Sequence, residues 1–126
     1  MTSVNGQPSK PRVLVVDDER VIADTLSIIL NQNGFQASPV YTGTAAVDMA
    51  RETRPQLVIS DVIMPDMNGI EAAIRIRQIL PECKILLFSG QAATADLLEN
   101  ARAQGHEFEI LAKPVHPQDL LAKLRL

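Results

Sequence analysis

The sequence predicts a doubly wound α/β domain, and three observations carry that reading. Unbroken apolar runs recur at 13–16 ("VLVV"), 57–59 ("LVI") and 85–88 ("ILLF"), as in strands buried on both faces of a parallel sheet. Segments of helical periodicity separate them, which is the alternation of an open α/β sheet. The runs also end in polar residues, with Asp17 and Asp18 after the first, Asp61 after the second and Ser89 after the third. In such sheets, ligands bind at the carboxyl ends of the strands.

The elements follow in order. The opening "MTSVNGQPSK" is polar and aperiodic, predicting a flexible tail over 1–10 and a single domain over 11–126. After the first strand, Ile22, Leu26, Ile29 and Leu30 share one helical face between Arg20 and Asn33. Gly34 stands where a left-handed C-terminal cap belongs. "FQASPVYT" is a strand interrupted by Pro39, which cannot donate to a ladder and therefore belongs at the sheet edge. "TAAVDMARE" is helical, "LVISD" is the third strand, and "IMPDMNG" is a turn. "IEAAIRIRQIL" is the next helix, with Ile70, Ala73, Ile74 and Ile79 on its inner side. "KILLFSG" and "FEILAKP" complete five strands, "TADLLENARAQ" lies between them, and "PQDLLAKLRL" closes the chain with Pro117 suited to a first helical turn.

Bulk properties narrow the function. A chain of 126 residues, 46% hydrophobic and 21% charged, has the size and apolar content of one domain. Its net charge of −3 and lack of a Lys/Arg cluster argue against a nucleic-acid surface. Cys83 is the single cysteine, so there is no internal disulfide. Apolar runs this short do not span a membrane and no signal-peptide core opens the chain, so a soluble cytoplasmic domain is expected.

The chemistry concentrates on one rim, where Asp17, Asp18, Asp61, Ser89 and Lys113 all follow strand ends. Taken singly, an Asp or Ser there is an ordinary helix N-cap. Together they are something else. Two carboxylates about 4 Å apart repel by roughly 4 kcal/mol at an effective dielectric near 20, so three require cations beside them. Lys113 supplies one charge, and a hard divalent ion such as Mg²⁺ suits the remaining oxygen donors. Pro114 directly after Lys113 suggests a fixed turn, for which a cis bond is one solution.

"VVDDE", "DVIMPDMNG", "FSG" and "LAKP", in that order at those strand ends, resemble the receiver domain of bacterial two-component response regulators from Arg12 to Leu126. The resemblance implies a flavodoxin-like (βα)5 fold with a five-stranded parallel sheet in order 2-1-3-4-5. It implies that Asp61 accepts a phosphoryl group from a phosphohistidine on a sensor histidine kinase or histidine phosphotransfer protein. Asp18, Asp61 and the backbone carbonyl of Ile63 would ligate Mg²⁺, with Asp17 holding it through water. Ser89 and Lys113 would contact phosphoryl oxygens. Such a domain assists its own phosphorylation and dephosphorylation and is not a turnover enzyme on an external substrate. Its partner surface would be the face of the fourth helix, fifth strand and fifth helix, open to an output domain or to a homodimer.

The sequence departs from that pattern where receivers carry a switching Tyr or Phe, since Ile110 stands three residues before Lys113. Phe108 lies two residues earlier and, sharing a strand face with Ile110, is a candidate replacement beside plain packing. Ser89 keeps the hydroxyl of the commoner Thr. Ile63 sits where attacking water would approach, so slow hydrolysis of the phosphoryl group is expected. His106, His116, Met64, Met67 and Cys83 read as structural, and Arg75 and Arg77 as solvent-facing.

Rival functions fit the pattern less well. A haloacid-dehalogenase-type phosphohydrolase has a second acid two residues after its nucleophile, where this chain has Ile63. A nucleotide-binding domain would show a Gly-rich loop after the first strand, and none follows. A receiver-like scaffold working without phosphorylation is the better alternative, motivated by Ile110 and opposed by the intact acid pair, Asp61, Ser89 and Lys113.

Overall fold

The computed structural model describes residues 10–90 and 94–124; apart from Lys10, the expected N-terminal tail lies outside them. Strands β1 (Arg12–Val16), β2 (Gln36–Val40), β3 (Leu57–Asp61), β4 (Lys84–Ser89) and β5 (Glu109–Ala112) alternate with helices α1 (Arg20–Asn31), α2 (Gly43–Thr53), α3 (Gly69–Ile79), α4 (Thr94–Ala103) and α5 (Pro117–Leu124). All strand pairs are parallel and the order is β2-β1-β3-β4-β5, as expected. Pro39 pairs with Val15 on the edge strand β2, where its missing donor leaves no interior ladder broken.

The first apolar run is unbroken because both of its faces are covered. Val13 and Val15 pack with Ala23, Leu26 and Leu30 of α1 and Leu120 and Leu124 of α5. Leu14 and Val16 pack with Val47 of α2, Ile76 of α3 and Ala101 of α4 on the opposite side. Each side chain so buried stabilises the fold by about 1.5–3 kcal/mol.

Two helical faces differ in detail from the periodic reading. In α1 the buried arc is Ala23, Leu26, Ser27 and Leu30, leaving Ile22 and Ile29 half-buried at its margin. In α3 the arc is Gly69, Ala72, Ala73 and Ile76 with Ile70, while Ile74 and Ile79 are half-buried. The small residues let α3 approach the sheet closely, and the larger isoleucines fill the flanks. Gly34 takes the left-handed conformation, with φ of +92°, just beyond the end of α1.

Candidate functional site

The parallel sheet brings the carboxyl ends of its strands to one edge, with β3 between β1 and β4. Asp61, the last residue of β3, is therefore flanked by Asp17 and Asp18 on one side and Ser89 on the other. Carboxylate oxygens of Asp17, Asp18 and Asp61 lie within 4.8 Å of one another. Asp17 is fully buried and Asp61 is 7% exposed, whereas Asp18 is open to solvent. Lys113 Nζ donates to Asp61 Oδ2 at 3.0 Å and lies 3.6 Å from Asp17 Oδ2. Its ammonium also sits 5.2 Å from the centre of the Phe88 ring, and the Lys113–Pro114 bond is cis.

Burial raises the pKa of Asp17, helped by the charges of Asp61 and Asp18 and opposed by the Glu19 amide and Lys113. Burial would lower Lys113, but the hydrogen bond and charge of Asp61, with the charges of Asp17 and Glu19, raise it overall. The two shifts describe one cluster: three carboxylates gather within 4.8 Å, and the single ammonium of Lys113 pairs with two of them, Asp17 and Asp61.

That arrangement fits a hard divalent cation. Asp17 Oδ1 accepts from the Glu19 amide at 2.9 Å, while the buried Oδ2 has no hydrogen-bond donor among the described residues. A buried carboxylate oxygen with no hydrogen-bond donor, facing only the Lys113 ammonium at 3.6 Å, is costly unless a further cation satisfies it, and an all-oxygen donor set suits Mg²⁺.

The turn after β3 folds back on the site. The Gly69 amide donates to Val62 O at 2.6 Å, and a Cβ at Gly69 would stand 2.0 Å from Asp61 O. Only glycine permits this closure. Asn68 then caps α3 through the Glu71 amide. Asp18, Glu19, Asp61, Ile63, Ser89, Gly90 and Lys113 line an open cleft of about 460 Å³.

The two remaining sequence candidates lie away from the acids. Ile110 and Phe108 are half-buried against the α2, α3 and α4 side of the core, and Phe108 precedes β5. The Arg77 guanidinium stacks 4.4 Å from the Phe108 ring centre and donates to Glu107 O. Arg77 is thus not the solvent-facing residue its helical position suggested; the aromatic ring in the α4–β5 turn draws it inward. Arg75 is exposed and pairs with Glu71. Cys83 is buried, and burial pushes its thiol up to about 11, an inert state.

Sequence reasoning did not single out Glu19, Phe88, Gly69 or Asp66. The "MNG" of the turn was a usable signal for Gly69. Asp66 gave none, because its partners, Gly43 and Thr44, lie 23 and 22 residues away.

Comparison with known proteins agrees with this geometry. The sequence matches the response regulator receiver domain family over residues 13–125. The chain belongs to that family. Among relatives of this receiver, the probable transcriptional regulatory protein TcrX of Mycobacterium tuberculosis is 33% identical over 99% of the chain and 52% of its own length. The DNA-binding response regulator MtrA of Mycolicibacterium paratuberculosis is 32% identical over 92% of the chain and 50% of its own length. The receiver therefore spans about half the length of these relatives. A CheY-like receiver domain protein from Methanospirillum hungatei superposes with a TM-score of 0.83 at 26% identity, covering 93% of this chain and 92% of that one. Chemotaxis protein CheY4 of Vibrio cholerae gives 0.79 at 30% identity, covering 92% and 97%. Among the described residues no helix is long and apolar enough to cross a membrane.

Proposed function

We propose that this receiver accepts a phosphoryl group on Asp61 from the phosphohistidine of a histidine kinase or histidine phosphotransfer protein. The observation that carries the reading is Asp61 itself, sunk between an acid pair and the Lys113 ammonium at the mouth of an open cleft. A carboxylate oxygen of Asp61 attacks phosphorus, the P–O bond forms as the P–N bond breaks, and the electron pair returns to the imidazole.

Asp18, Asp61 and the Ile63 carbonyl would hold Mg²⁺, with Asp17 behind them. When bound, Mg²⁺ supplies charge neutralisation on the transferring oxygens, the main catalytic demand of phosphoryl transfer. Lys113 holds Asp61 in place beforehand and pairs with a phosphoryl oxygen afterwards, while the Ser89 hydroxyl donates to another. Val21 and Ile28 are 77% and 57% exposed on α1, and with the apolar groove of Ile22, Pro114 and Val115 they offer a partner a docking surface beside the rim.

An acyl phosphate carries about two negative charges, enough to draw Ser89 and the start of α4 inward and bias the surface of α4, β5 and α5 that an output domain or second copy reads. A cytoplasmic signalling role without external turnover belongs to the same reading. Intact mass after incubation with acetyl phosphate, with and without Mg²⁺, tests it. The parent gains one phosphoryl group only with metal, and Asp61→Asn gains none. A parent that binds Mg²⁺ yet gains no mass favours the second reading, a scaffold working without phosphate, which the apolar Ile110 at the usual aromatic position supports.

A further inference from the structure

The turn between Asp61 and α3 is tied down at its middle as well as at its ends. Asp66 Oδ1 accepts from the Gly43 amide at 3.1 Å. Its Oδ2 accepts from the Thr44 amide at 2.9 Å and the Thr44 hydroxyl at 2.8 Å. These amides, with that of Ala45, open α2 and have no partner within the helix. Thr42 Oγ takes the Ala45 amide, and the α2 ladder begins with Ala46 donating to Thr42 O. Asp66 therefore completes the helix start from a distant turn. It also supplies the negative charge that the first turn of α2, which has no acidic residue, lacks.

The fit is close in shape as well as charge. A Cβ at Gly43 would stand 3.0 Å from Met67 Cβ, so the turn rests directly on the helix backbone. The Thr44 amide above all, with the Thr44 hydroxyl and the Gly43 amide, holds the Asp66 carboxyl down to about 2, and it stays ionised across the physiological range.

We propose that Asp66 is a positioning residue for the acid site: by clamping the 62–69 turn to the start of α2, it fixes the Ile63 carbonyl and Asp61 against Asp17 and Asp18. The far side of the clamp is itself anchored, because the Asp17 amide donates to Val40 O at the end of β2, and β2 leads into α2. The inference rests on the proposed reading that the site holds a divalent cation.

Mn²⁺ serves as the probe, with free ion read by electron paramagnetic resonance and amide exchange followed at Gly43 and Thr44. The parent, Asp66→Ala, Asp66→Asn and Thr44→Val are compared, with Asp61→Asn as the control for the site. Asp66→Ala weakens Mn²⁺ by about tenfold, in the range of second-layer supports of metal ligands. Asp66→Asn, whose amide oxygen still accepts one helix amide, recovers most of that loss, and Thr44→Val loses a smaller share. Mn²⁺ affinity equal to the parent in Asp66→Ala, with Gly43 and Thr44 deprotected and the melting point lowered, makes Asp66 a helix cap alone and overturns the clamp while leaving the metal reading intact. A parent that binds no Mn²⁺, or an Asp61→Asn variant that binds it as well as the parent, overturns the metal reading and the clamp with it. If Asp66→Ala does not fold, Asp66→Asn and Thr44→Val carry the same comparison.

Discussion

Lys113 and Asp61 meet at 3.0 Å although the first follows β5 and the second ends β3, with β4 lying between them. Neighbouring strands are about 4.8 Å apart, so the contact depends on the long lysine stem crossing above Phe88. The ammonium occupies the electrostatic place that a divalent ion would share. Lys113→Met keeps the stem and removes the charge. Mn²⁺ should then bind about tenfold tighter, from two carboxylates relieved of a competing cation at modest effective dielectric. Titration with Mn²⁺ checks this; weaker binding would show that Lys113 arranges the acids and does not compete for them.

Asp17 makes the complementary case. Burial raises its pKa, so the native state disfavours its ionised form, and the cost to stability appears as pH rises from the unfolded value through the raised native one. In metal-free solution at pH 7, Asp17→Asn should therefore melt higher than the parent. Added Mg²⁺ should raise the parent's melting point and barely move the variant's. An Asp17→Asn variant that melts lower without metal would mean that the Glu19 amide and Lys113 already compensate the charge.

Much of this was legible from pattern. Strand ends were visible because apolar runs stop at Asp17, at Ser60 just before Asp61, and at Ser89, and the edge position of β2 followed from Pro39, whose missing donor only an edge tolerates. What pattern did not disclose was lateral. Ile74 and Ile79 satisfy the helical period as well as Ala72 and Ile76 do, and only the docking of α3 on the sheet decides between them. Arg77 looked solvent-facing until the α4–β5 turn placed an aromatic ring under it. Asp66 is invisible as a clamp in one dimension, since its donors belong to another helix.

The Asp66 clamp has an acid limit. Its carboxyl is lowered to about 2, with the Thr44 amide as the first cause, so its contribution is present above the unfolded carboxylate value of about 3.9 and is lost as pH falls through about 2. Near pH 6, Asp66→Ala should lower the melting point by about 3–5 °C, for the roughly 1 kcal/mol of a lost cap. The gap between parent and variant should narrow as pH falls from about 4 towards about 2. A gap that does not narrow would assign the loss to packing around Met67.

Phe108 and Arg77 form a pair whose energy can be isolated. Phe108 is half-buried, so Phe108→Ala should cost about 2 kcal/mol, below the 3–5 of a fully buried ring. Arg77→Gln should cost about 0.5–1 kcal/mol through the lost stack. A double-mutant cycle in denaturant should return a coupling near 0.5–1 kcal/mol. If the acetyl phosphate-treated protein shows the same coupling, the stack is permanent packing; a coupling that disappears would give Phe108 a part in the response that Ile110 cannot take.

If Asp61 is phosphorylated as proposed, Ile63 is expected to set the lifetime of the phosphorylated state. Ile63 is 38% exposed and lines the cleft with Asp61, Ser89 and Lys113, so on the proposed reading an apolar group would stand beside the path of water attacking a phosphorylated Asp61. It offers that water no hydrogen bond and removes part of the space it would occupy. The phosphoryl group on the parent should therefore last minutes or longer, and Ile63→Asn, which can orient a water, should shorten that by about tenfold, or 1.4 kcal/mol of barrier. Following the decay of the phosphorylated mass after removal of acetyl phosphate measures both. A parent lifetime of seconds, or an Ile63→Asn decay equal to the parent's, would place control of hydrolysis elsewhere in the cleft.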